Sequence, residues 1–430
     1  MPKRPNILRI AATIPFGFSI AACSGDVVDL GGGSAEVEGT VPAACAGLDG
    51  DGNVTVVDQA GLDALRGCEE LGALSIMDFG GTGLDLRPLS SLRVVRGFLS
   101  IEGDMMYDMT TTPTVRDTSL SSLEGLESLK RVGGLVLSRF SAPTLWPLRN
   151  LSEVSGGESA SIQIDNASHL RSLNGLENAV GIRAVGLSYN PELETLDGLQ
   201  LPNSVAGIGV SESPKLKDIE ALRRVQGVDQ VLYIHDTGIE RLNLELQVLG
   251  TLDVGDNAAL TEITGLDSMI MSDIKIQNNP RLTRLPEFSR LLLLDSLYIV
   301  GNSQLQAVPT FPALEGGLIL GIAEDSPMRL LEIADNASLQ QYVAPAQLRG
   351  MASLVIRDNA SLSEIDLGGL EALTRLTIAN NPGLVSVSLD RLQTVNSLEL
   401  LDNGQLPTAG FSAVQTFTRN VQGNAGDVAP

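Results

Sequence analysis

A single motif recurs along most of this 430-residue chain and limits its possible folds more than any other feature. The motif is an apolar residue, any residue, a second apolar residue, two further residues and an asparagine. Its clear copies start at Leu252, Ile274, Leu297, Leu331, Leu354, Leu376 and Leu398. Earlier copies start at Val185, Ile208 and Leu232, and in the last two Ser or Thr replaces the asparagine. Most adjacent copies are 22 or 23 residues apart, and such a fixed period is the signature of a repeat solenoid.

Each copy of the motif has a direct physical interpretation as one coil. The apolar-x-apolar step is a short strand whose alternate side chains point inward. The asparagine then turns the chain, because its amide can bond backbone groups that a bend leaves unpaired. One coil cannot bury its apolar side alone, whereas stacked coils can. About fourteen coils stacked at the ~4.8 Å strand spacing predict a rod roughly 65–70 Å long.

The composition fits a core of stacked aliphatic side chains and argues against some partners. Aromatic residues make up only 3% of the chain, although large compact domains usually bury many of them. The formal net charge is −23, which argues against nucleic-acid binding because phosphate contacts need clustered lysine and arginine. We therefore expect no nucleic-acid partner, and contact with a membrane only through the N-terminus.

The N-terminus has the pattern of an export signal. A positive segment with Lys3, Arg4 and Arg9 precedes a short apolar stretch over residues 10–20, and a small-residue site ends at Cys23. This site resembles the lipobox of bacterial lipoproteins, in which the cysteine becomes the first mature residue and carries the acyl chains. The resemblance implies a lipoprotein signal peptide at residues 1–22 and lipidation of Cys23. An ordinary secretory signal, in which Cys23 has no such role, is the alternative.

The segment after the signal predicts how the protein is held. Residues 23–42 are rich in Gly, Ser and acidic residues, which is typical of a flexible tether. Ser24 differs from the Asp that signals inner-membrane retention in familiar enteric lipoproteins. We therefore expect an exported protein that is lipid-anchored in the cell envelope, at the outer membrane or cell surface of a Gram-negative-type bacterium.

Export places the two remaining cysteines in an oxidising compartment. Cys45 and Cys68 are therefore predicted to form one disulfide. A metal site would need more ligands than the chain offers, because its only two histidines, His169 and His235, are far apart in sequence. We expect no metal site and no cofactor.

The repeat resembles the receptor L-domain, a leucine-rich-repeat-like fold. Residues 92–101 and 129–137 carry its pattern of leucine steps and a Val-x-Gly before the next strand, and the resemblance extends over about residues 43–406. It implies a right-handed β-solenoid of mostly short parallel strands with few helices, continuous over residues 43–410. Related domains in animal receptors bind protein hormones. The uninterrupted repeat differs from the paired-domain layout of those receptors, so their ligand positions do not transfer.

Both ends of a solenoid need a cap, since an open end exposes the apolar core. The resemblance implies a first strand at residues 52–56 and a short helix at residues 59–65, which cover the N-terminal end with the help of the disulfide. At the other end, residues 411–430 are predicted to form a cap and a disordered tail that starts at residue 420. The side chains expected to pack over the last coil are Phe411, Val414 and Phe417.

We predict that the protein is not an enzyme. The sequence contains no Gly-x-Ser-x-Gly nucleophile motif and no His-Glu-x-x-His zinc motif. Its carboxylates are scattered, so no glycosidase pair can be picked out. Asp49, Asp51 and Asp58 resemble part of a calcium loop, but Gly47 at the first ligand position has no side-chain oxygen. A turn is the better interpretation of that segment, with a calcium site as the alternative.

The predicted strand face offers a candidate binding surface. The residue between the two inward residues of each copy points outward, and stacking aligns these residues in columns. The alignment predicts a patch in the middle of the rod, made of Tyr233, His235, Lys275 and Tyr298 with Tyr189 at its edge. Aromatic residues often anchor interfaces, although the same side chains also fit an ordinary exposed strand surface. A further column, just before the asparagine, is rich in aspartate; it supports the turn, with cation binding as the alternative.

Together these features predict a monomeric envelope protein that binds a protein or glycan partner through the solenoid face. A structural spacer without a discrete ligand site is the alternative. A polysaccharide-acting enzyme is third, because parallel solenoids also host such enzymes.

Overall fold

The computed structural model describes residues 53–78, 83–103, 120–266, 270–314 and 328–425. Over these residues the chain is a parallel β-solenoid of about 14 turns with almost no helix, which matches a right-handed β-solenoid. The solenoid predicted from the repeat is therefore confirmed. The period of the sequence produces this fold because each turn buries its apolar side only against the turns before and after it.

The strands are short and follow one another at the spacing of the repeat. They are β1 (Asn53–Val56), β2 (Glu70–Leu71), β3 (Ala73–Met77), β4 (Val94–Glu102), β5 (Arg131–Phe140), β6 (Glu153–Val154), β7 (Ser161–Ala167), β8 (Ala184–Ser188), β9 (Ser204–Ser211), β10 (Gly227–His235), β11 (Arg241–Leu246), β12 (Val248–Gly255), β13 (Glu262–Leu266), β14 (Ile270–Gln277), β15 (Leu293–Val300), β16 (Met328–Ala334), β17 (Gln341–Val343), β18 (Gly350–Arg357), β19 (Glu364–Asp366), β20 (Ala372–Ala379), β21 (Ser386–Ser388), β22 (Thr394–Leu401) and β23 (Gln415–Gln422).

Most of these strands form one main parallel sheet along the length of the solenoid. Adjacent coils pair in register, so that Leu252 faces Ile274 and Ile274 faces Leu297. The short strands β2 and β6 add to this sheet beside β4 and β5. Away from the main sheet, β11 pairs with β13, and β17, β19 and β21 form a separate three-stranded sheet. The constant register aligns each position of the motif in a column from coil to coil.

One short α-helix, α1 (Gln59–Ala64), lies at the N-terminal end of the described solenoid. Oδ1 of Asp58 accepts a hydrogen bond from the backbone N–H of Gly61 at 2.8 Å, which is the contact of a helix N-cap. Leu62 and Leu65 are fully buried, so the helix packs its apolar side chains against the first coils, and its role as a cap stays a prediction. Short 3₁₀ segments occur at Arg87–Leu89, Trp146–Leu148, Gly157–Ser159, Glu220–Arg224 and Ala409–Ala413.

The core is one continuous stack of mostly aliphatic side chains. The two apolar residues of a motif copy and the leucine after its asparagine all point into it; Leu252, Val254 and Leu260, for example, are 0% exposed. Each coil adds a similar layer, so burial accumulates without large aromatic residues. This explains why a chain with so few aromatic residues folds over such a length.

The asparagines of the motif form a buried ladder, here called the Asn ladder. Its members are Asn257, Asn279, Asn302, Asn336, Asn359, Asn381, Asn403 and Asn424. Oδ1 of Asn359 accepts from the backbone N–H of Asn336 at 3.0 Å, and Nδ2 of Asn359 donates to the carbonyl of Ile333 at 3.0 Å. Each ladder asparagine thus satisfies backbone groups of the preceding coil that would otherwise be unpaired in the core. Before Asn257 the same position holds Thr237 and Ser213, whose short side chains have no amide to donate. One coil earlier it holds Asn190, which makes the same contacts with the backbone of Ala167 and Ile164.

The residue before each ladder asparagine has a positive φ, and this explains the aspartate column. The angle is 56° at Asp256, 53° at Asn278 and 59° at Asp358. Aspartate and asparagine are the non-glycine residues that best tolerate this conformation. The backbone therefore accounts for these aspartates, in agreement with their interpretation as turn residues.

The C-terminal end differs from the predicted cap and disordered tail. β23 pairs with β22, and Oδ1 of Asn424 accepts from the backbone N–H of Asn403 at 3.2 Å, so ordered structure continues well past residue 420. Phe411 and Val414 are buried, as expected. Phe417, in contrast, is 88% exposed and does not pack over the last coil. The last five residues, 426–430, lie outside the described residues.

Arg419 gives the physical reason for this difference. It faces Leu398 in register and therefore occupies a position that earlier strands fill with an inward apolar residue. Nη2 of Arg419 donates to the carbonyls of Phe411 and Val414 at 2.8 and 3.3 Å. An inward-pointing charge on a terminal strand opposes the addition of a further strand. The sequence did not predict the last coil because this arginine replaces the first apolar residue of a motif copy that ends at Asn424.

Several predictions concern residues outside the described ranges. They include the signal peptide at residues 1–22, lipidation of Cys23, the tether at residues 23–42, and Asp49 and Asp51 of the calcium-like segment. Cys68 is 2% exposed, but Cys45 is not among the described residues. The Cys45–Cys68 disulfide therefore stays a prediction.

Candidate binding face

The middle of the main sheet presents the residues that the sequence predicted as a patch. Tyr233 on β10 faces Asp253 on β12, Asp253 faces Lys275 on β14, and Lys275 faces Tyr298 on β15. These side chains point outward because their neighbours along each strand are buried in the core. The predicted column is therefore present in the structure, and its role in binding stays a prediction.

Tyr233 and His235 form an aromatic pair on the outer side of β10. They lie two residues apart on one strand, and their rings stack with centroids 4.1 Å apart and an angle of 4° between the planes. Gly255 on β12 makes room for the imidazole, since a Cβ atom there would lie 2.4 Å from Cε1 of His235. Burial, followed by the negative charge of Asp253, raises the pKa of Tyr233 to about 12, so its hydroxyl stays protonated near neutral pH.

Asp253 is the acidic centre of the patch. Although it points away from the core, it is only 4% exposed. Nε2 of His235 lies 2.7 Å from Oδ1 of Asp253, and Nζ of Lys275 lies 4.0 Å from Oδ2. The other ring nitrogen of His235 lies 3.4 Å from Oδ2 of Asp256. A carboxylate withdrawn from water needs such partners, so these residues hold one another in a fixed polar network.

Tyr298 continues the patch beyond Lys275. Arg329 lies near this side, with Nη2 at 2.9 Å from Oδ2 of Asp295 and 3.7 Å from Oδ1 of Asp273. Burial raises the pKa of Tyr298, so this hydroxyl is also protonated and able to donate a hydrogen bond. The patch therefore ends in an aromatic side chain beside a network of salt bridges.

A pair of carboxyl groups borders the patch where the strands turn. Glu212 and Asp236 occupy the positive-φ column, each with a φ of 49°. Burial, followed by the hydrogen bond to Asp236 and the charge of that residue, raises the pKa of Glu212 to about 7. Glu212 is therefore protonated in a large share of the molecules near neutral pH.

Tyr189 lies at the edge of the patch. It belongs to the positive-φ turn column, with a φ of 54°, and is 50% exposed. Its backbone N–H donates to the carbonyl of Ser211 on the next coil at 3.2 Å. The structure therefore places four of the five predicted residues on the strand face and Tyr189 at the turn beside them.

A groove lies on the same face, directly beside the patch, since Gly209 of its floor faces Tyr233 in register. Its floor is formed by β8 and β9, whose outward residues are small: Ala184, Gly186, Ser188, Gly207, Gly209 and Ser211. Gln163 and Asp165 on β7 line one side, and the cavity has a volume of about 230 Å³. The hydroxyl of Ser188 donates a hydrogen bond to the carboxyl group of Asp165. Burial raises the pKa of this carboxyl, while the hydrogen bond from Ser188 opposes the shift.

Sequence reasoning did not single out Asp253, Glu212 or the groove as parts of a site. Asp253 was visible in the column between Tyr233 and Lys275, but its burial depends on how the neighbouring side chains lean over it. The groove had a simpler signal. Gly186 and Gly209 are adjacent in one column, and two adjacent glycines leave the sheet uncovered.

The described residues contain no group of three or more His, Cys, Asp or Glu side chains suited to hold a metal ion. Within the same residues, no helix is long and apolar enough to cross a membrane. No protein-family model and no curated protein matches the chain. The class defined by the fold is the parallel β-solenoid.

Proposed function

We propose that this protein is a lipid-anchored component of the cell envelope that binds a protein or glycan partner through the face of its main sheet. The observation that best supports this proposal is the patch around Asp253, where an aromatic pair, a buried carboxylate and a lysine align in register. We further propose that the solenoid is of the receptor L-domain type and that the protein acts by binding rather than by catalysis.

The composition of the patch supports a binding role. Tyrosine is enriched at protein interfaces because it contributes a large contact area and a polar group with little loss of conformational entropy. Tyr233 is held against His235, and His235 is held by Asp253, so the surface is rigid before a partner arrives. A pre-organised surface loses less entropy on binding than a flexible one.

The proposed location rests on the N-terminal sequence. The positive segment, the apolar stretch and the small-residue site before Cys23 support export and lipidation. Residues 23–42 would then connect the lipid to the solenoid.

A capture experiment with matched variants tests the binding role. The purified chain is immobilised and exposed to the protein and glycan fractions of the envelope of the producing cell. We expect the double variant Tyr233→Ala/Tyr298→Ala to capture its partner at least about 10-fold less strongly, because central aromatic residues carry much of the binding energy of an interface. Trp146→Ala is the control, since Trp146 is 56% exposed but lies in a 3₁₀ turn outside the main sheet.

The outcomes separate the binding role from a spacer role. Capture that falls in the double variant and persists in Trp146→Ala supports the proposal. Capture that is equal in all three proteins, or absent in all, refutes it and favours a spacer that holds other components away from the membrane. In both cases the variants must keep the far-UV circular dichroism of the wild type.

Protease treatment of intact cells tests the proposed location. If the protein is cut while a periplasmic control survives, the solenoid faces the outside and its partner is extracellular. If cutting requires a permeabilised outer membrane, surface exposure is wrong and the partner must be sought in the periplasm.

A further inference from the structure

We infer that the groove over β8 and β9 is a binding site for a neutral glycan. This inference rests on the proposed function and names the class of partner at one part of the face.

The shape of the groove suits a sugar ring. The backbones of β7 and β10, the strands on either side of its floor, are three strand spacings apart, or about 14 Å. Gly186 leaves this space open, because the nearest atom to a Cβ placed there is Cγ of Gln163 at 3.6 Å. The volume of about 230 Å³ is the space of roughly eight water molecules in the liquid. It accommodates one ring of a longer chain but is smaller than a typical pocket for a drug-sized ligand.

The polar groups of the groove match sugar hydroxyls. The carboxyl group of Asp165 and the amide of Gln163 accept hydrogen bonds, and the hydroxyls of Ser188 and Ser211 both donate and accept. Sugar hydroxyls present the same mixture of donors and acceptors. Glycine and alanine complete the floor, so the flat apolar side of a ring can lie against the sheet without a clash.

The charge of the groove selects against anionic ligands. None of the described residues that line it carries a positive charge, and its one ionisable group is the acid Asp165. A phosphorylated or uronate-containing chain would find no lysine or arginine among these lining residues to pair with its charge, whereas a neutral chain needs none.

The pairing of the floor strands argues against an extended peptide. A peptide that adds to a sheet needs a strand edge with free backbone groups. β8 pairs with both β7 and β9, and β9 pairs also with β10, so neither strand has a free edge. A glycan needs only side-chain partners and does not depend on such an edge.

The test measures binding of three probes to the full chain. The probes are the neutral polysaccharide fraction of the producing cell's own envelope, the acidic fraction from the same preparation, and a lysine-rich peptide. We expect the neutral fraction to bind, and Gly186→Val to weaken that binding at least tenfold because the added side chain fills the groove. Asp165→Asn keeps the shape of the groove and should also weaken binding, since the neutral amide is a poorer acceptor.

A variant on another strand controls for added bulk. Val355 lies in the same outward column as Gly186 but on β18, so Val355→Leu should leave binding unchanged. The melting temperature of Gly186→Val should stay close to that of the wild type, because the position has an ordinary strand conformation and open space.

Each result has a defined meaning. Binding of the neutral fraction that is lost in Gly186→Val and kept in Val355→Leu supports the site. Binding that Gly186→Val leaves intact, or preferential binding of the acidic fraction or the peptide, overturns it. If no glycan binds while capture of an envelope protein still depends on Tyr233 and Tyr298, the glycan site is wrong and the proposed function stands. If both kinds of binding are absent, the proposed function fails as well.

Discussion

Replacing one member of the Asn ladder should destabilise the solenoid far more than an average surface substitution. Asn359→Ala removes an acceptor from the backbone N–H of Asn336 and a donor from the carbonyl of Ile333, both in the interior. A buried polar group left without a partner costs about 1–3 kcal/mol. With two such groups affected, we expect the free energy of unfolding to fall by about 4 kcal/mol.

Urea denaturation followed by far-UV circular dichroism measures this loss, and amide hydrogen exchange locates it. The N–H of Asn336 should lose protection, because it has lost its acceptor. Asp402→Asn is the matched control: Asp402 is exposed and has a φ of 54°, a conformation that asparagine tolerates, so the change should stay within about 0.5 kcal/mol.

A result in which Asn359→Ala and Asp402→Asn are equally stable would refute the reasoning. It would mean that water or a shifted backbone replaces the lost contacts. Unchanged protection at Asn336 would lead to the same conclusion independently of the denaturation curve.

Three further predictions concern the raised pKa of Glu212, the arginine on the last described strand and the cysteines. The folded-state pKa of about 7 lies above the usual 4.5, so this group stabilises the fold fully below about pH 4.5 and loses that contribution as the pH rises through 7. Because Glu212 is partly exposed, this loss of stability is on the order of 1 kcal/mol. Glu212→Gln should abolish the pH dependence of the melting temperature between pH 5 and 8. Identical pH dependence in both proteins would contradict the raised pKa of Glu212. Arg419→Leu should produce larger species in sedimentation velocity, because an apolar end of the sheet becomes available for association. Arg419→Lys keeps the charge and should sediment like the wild type. If the Leu variant also sediments like the wild type, the charge does not protect this end. Reduction of the predicted Cys45–Cys68 disulfide should lower the free energy of unfolding by about 2–4 kcal/mol in urea denaturation, and no change on reduction, or equal stability of Cys68→Ala, would argue against the bond.

Much of the fold could be predicted because each position of the motif has the same structural role in every coil. Leu252, Val254 and Asn257 each have one role, and the same role returns in the next copy. The register of the main sheet follows from this repetition, so the column containing Tyr233 and Lys275 could be predicted from the spacing of the motif alone. The end of the solenoid could not, because Arg419 breaks the apolar pattern at the one coil where that break matters.

The candidate site was harder to predict than the fold. A column shows which residues are neighbours, but it does not show that His235 leans over β12 and encloses Asp253. Such contacts depend on rotamers and on space left by residues such as Gly255. The raised pKa of Glu212 also depends on burial at a turn, which no local pattern in the sequence reports.

The Asn ladder and the arginine at its end determine how a chain like this can change length. The side chain of an asparagine in the middle of the ladder bonds the backbone of the preceding coil, and its own backbone N–H is bonded by the asparagine of the next coil. A whole unit of 22 or 23 residues can therefore be inserted or removed there, and every hydrogen-bond partner is replaced. At β23, the last described strand, a further coil would have to cover the charge of Arg419. Longer or shorter versions of this protein should therefore arise by duplication or loss of internal units, while the terminal coil stays the same.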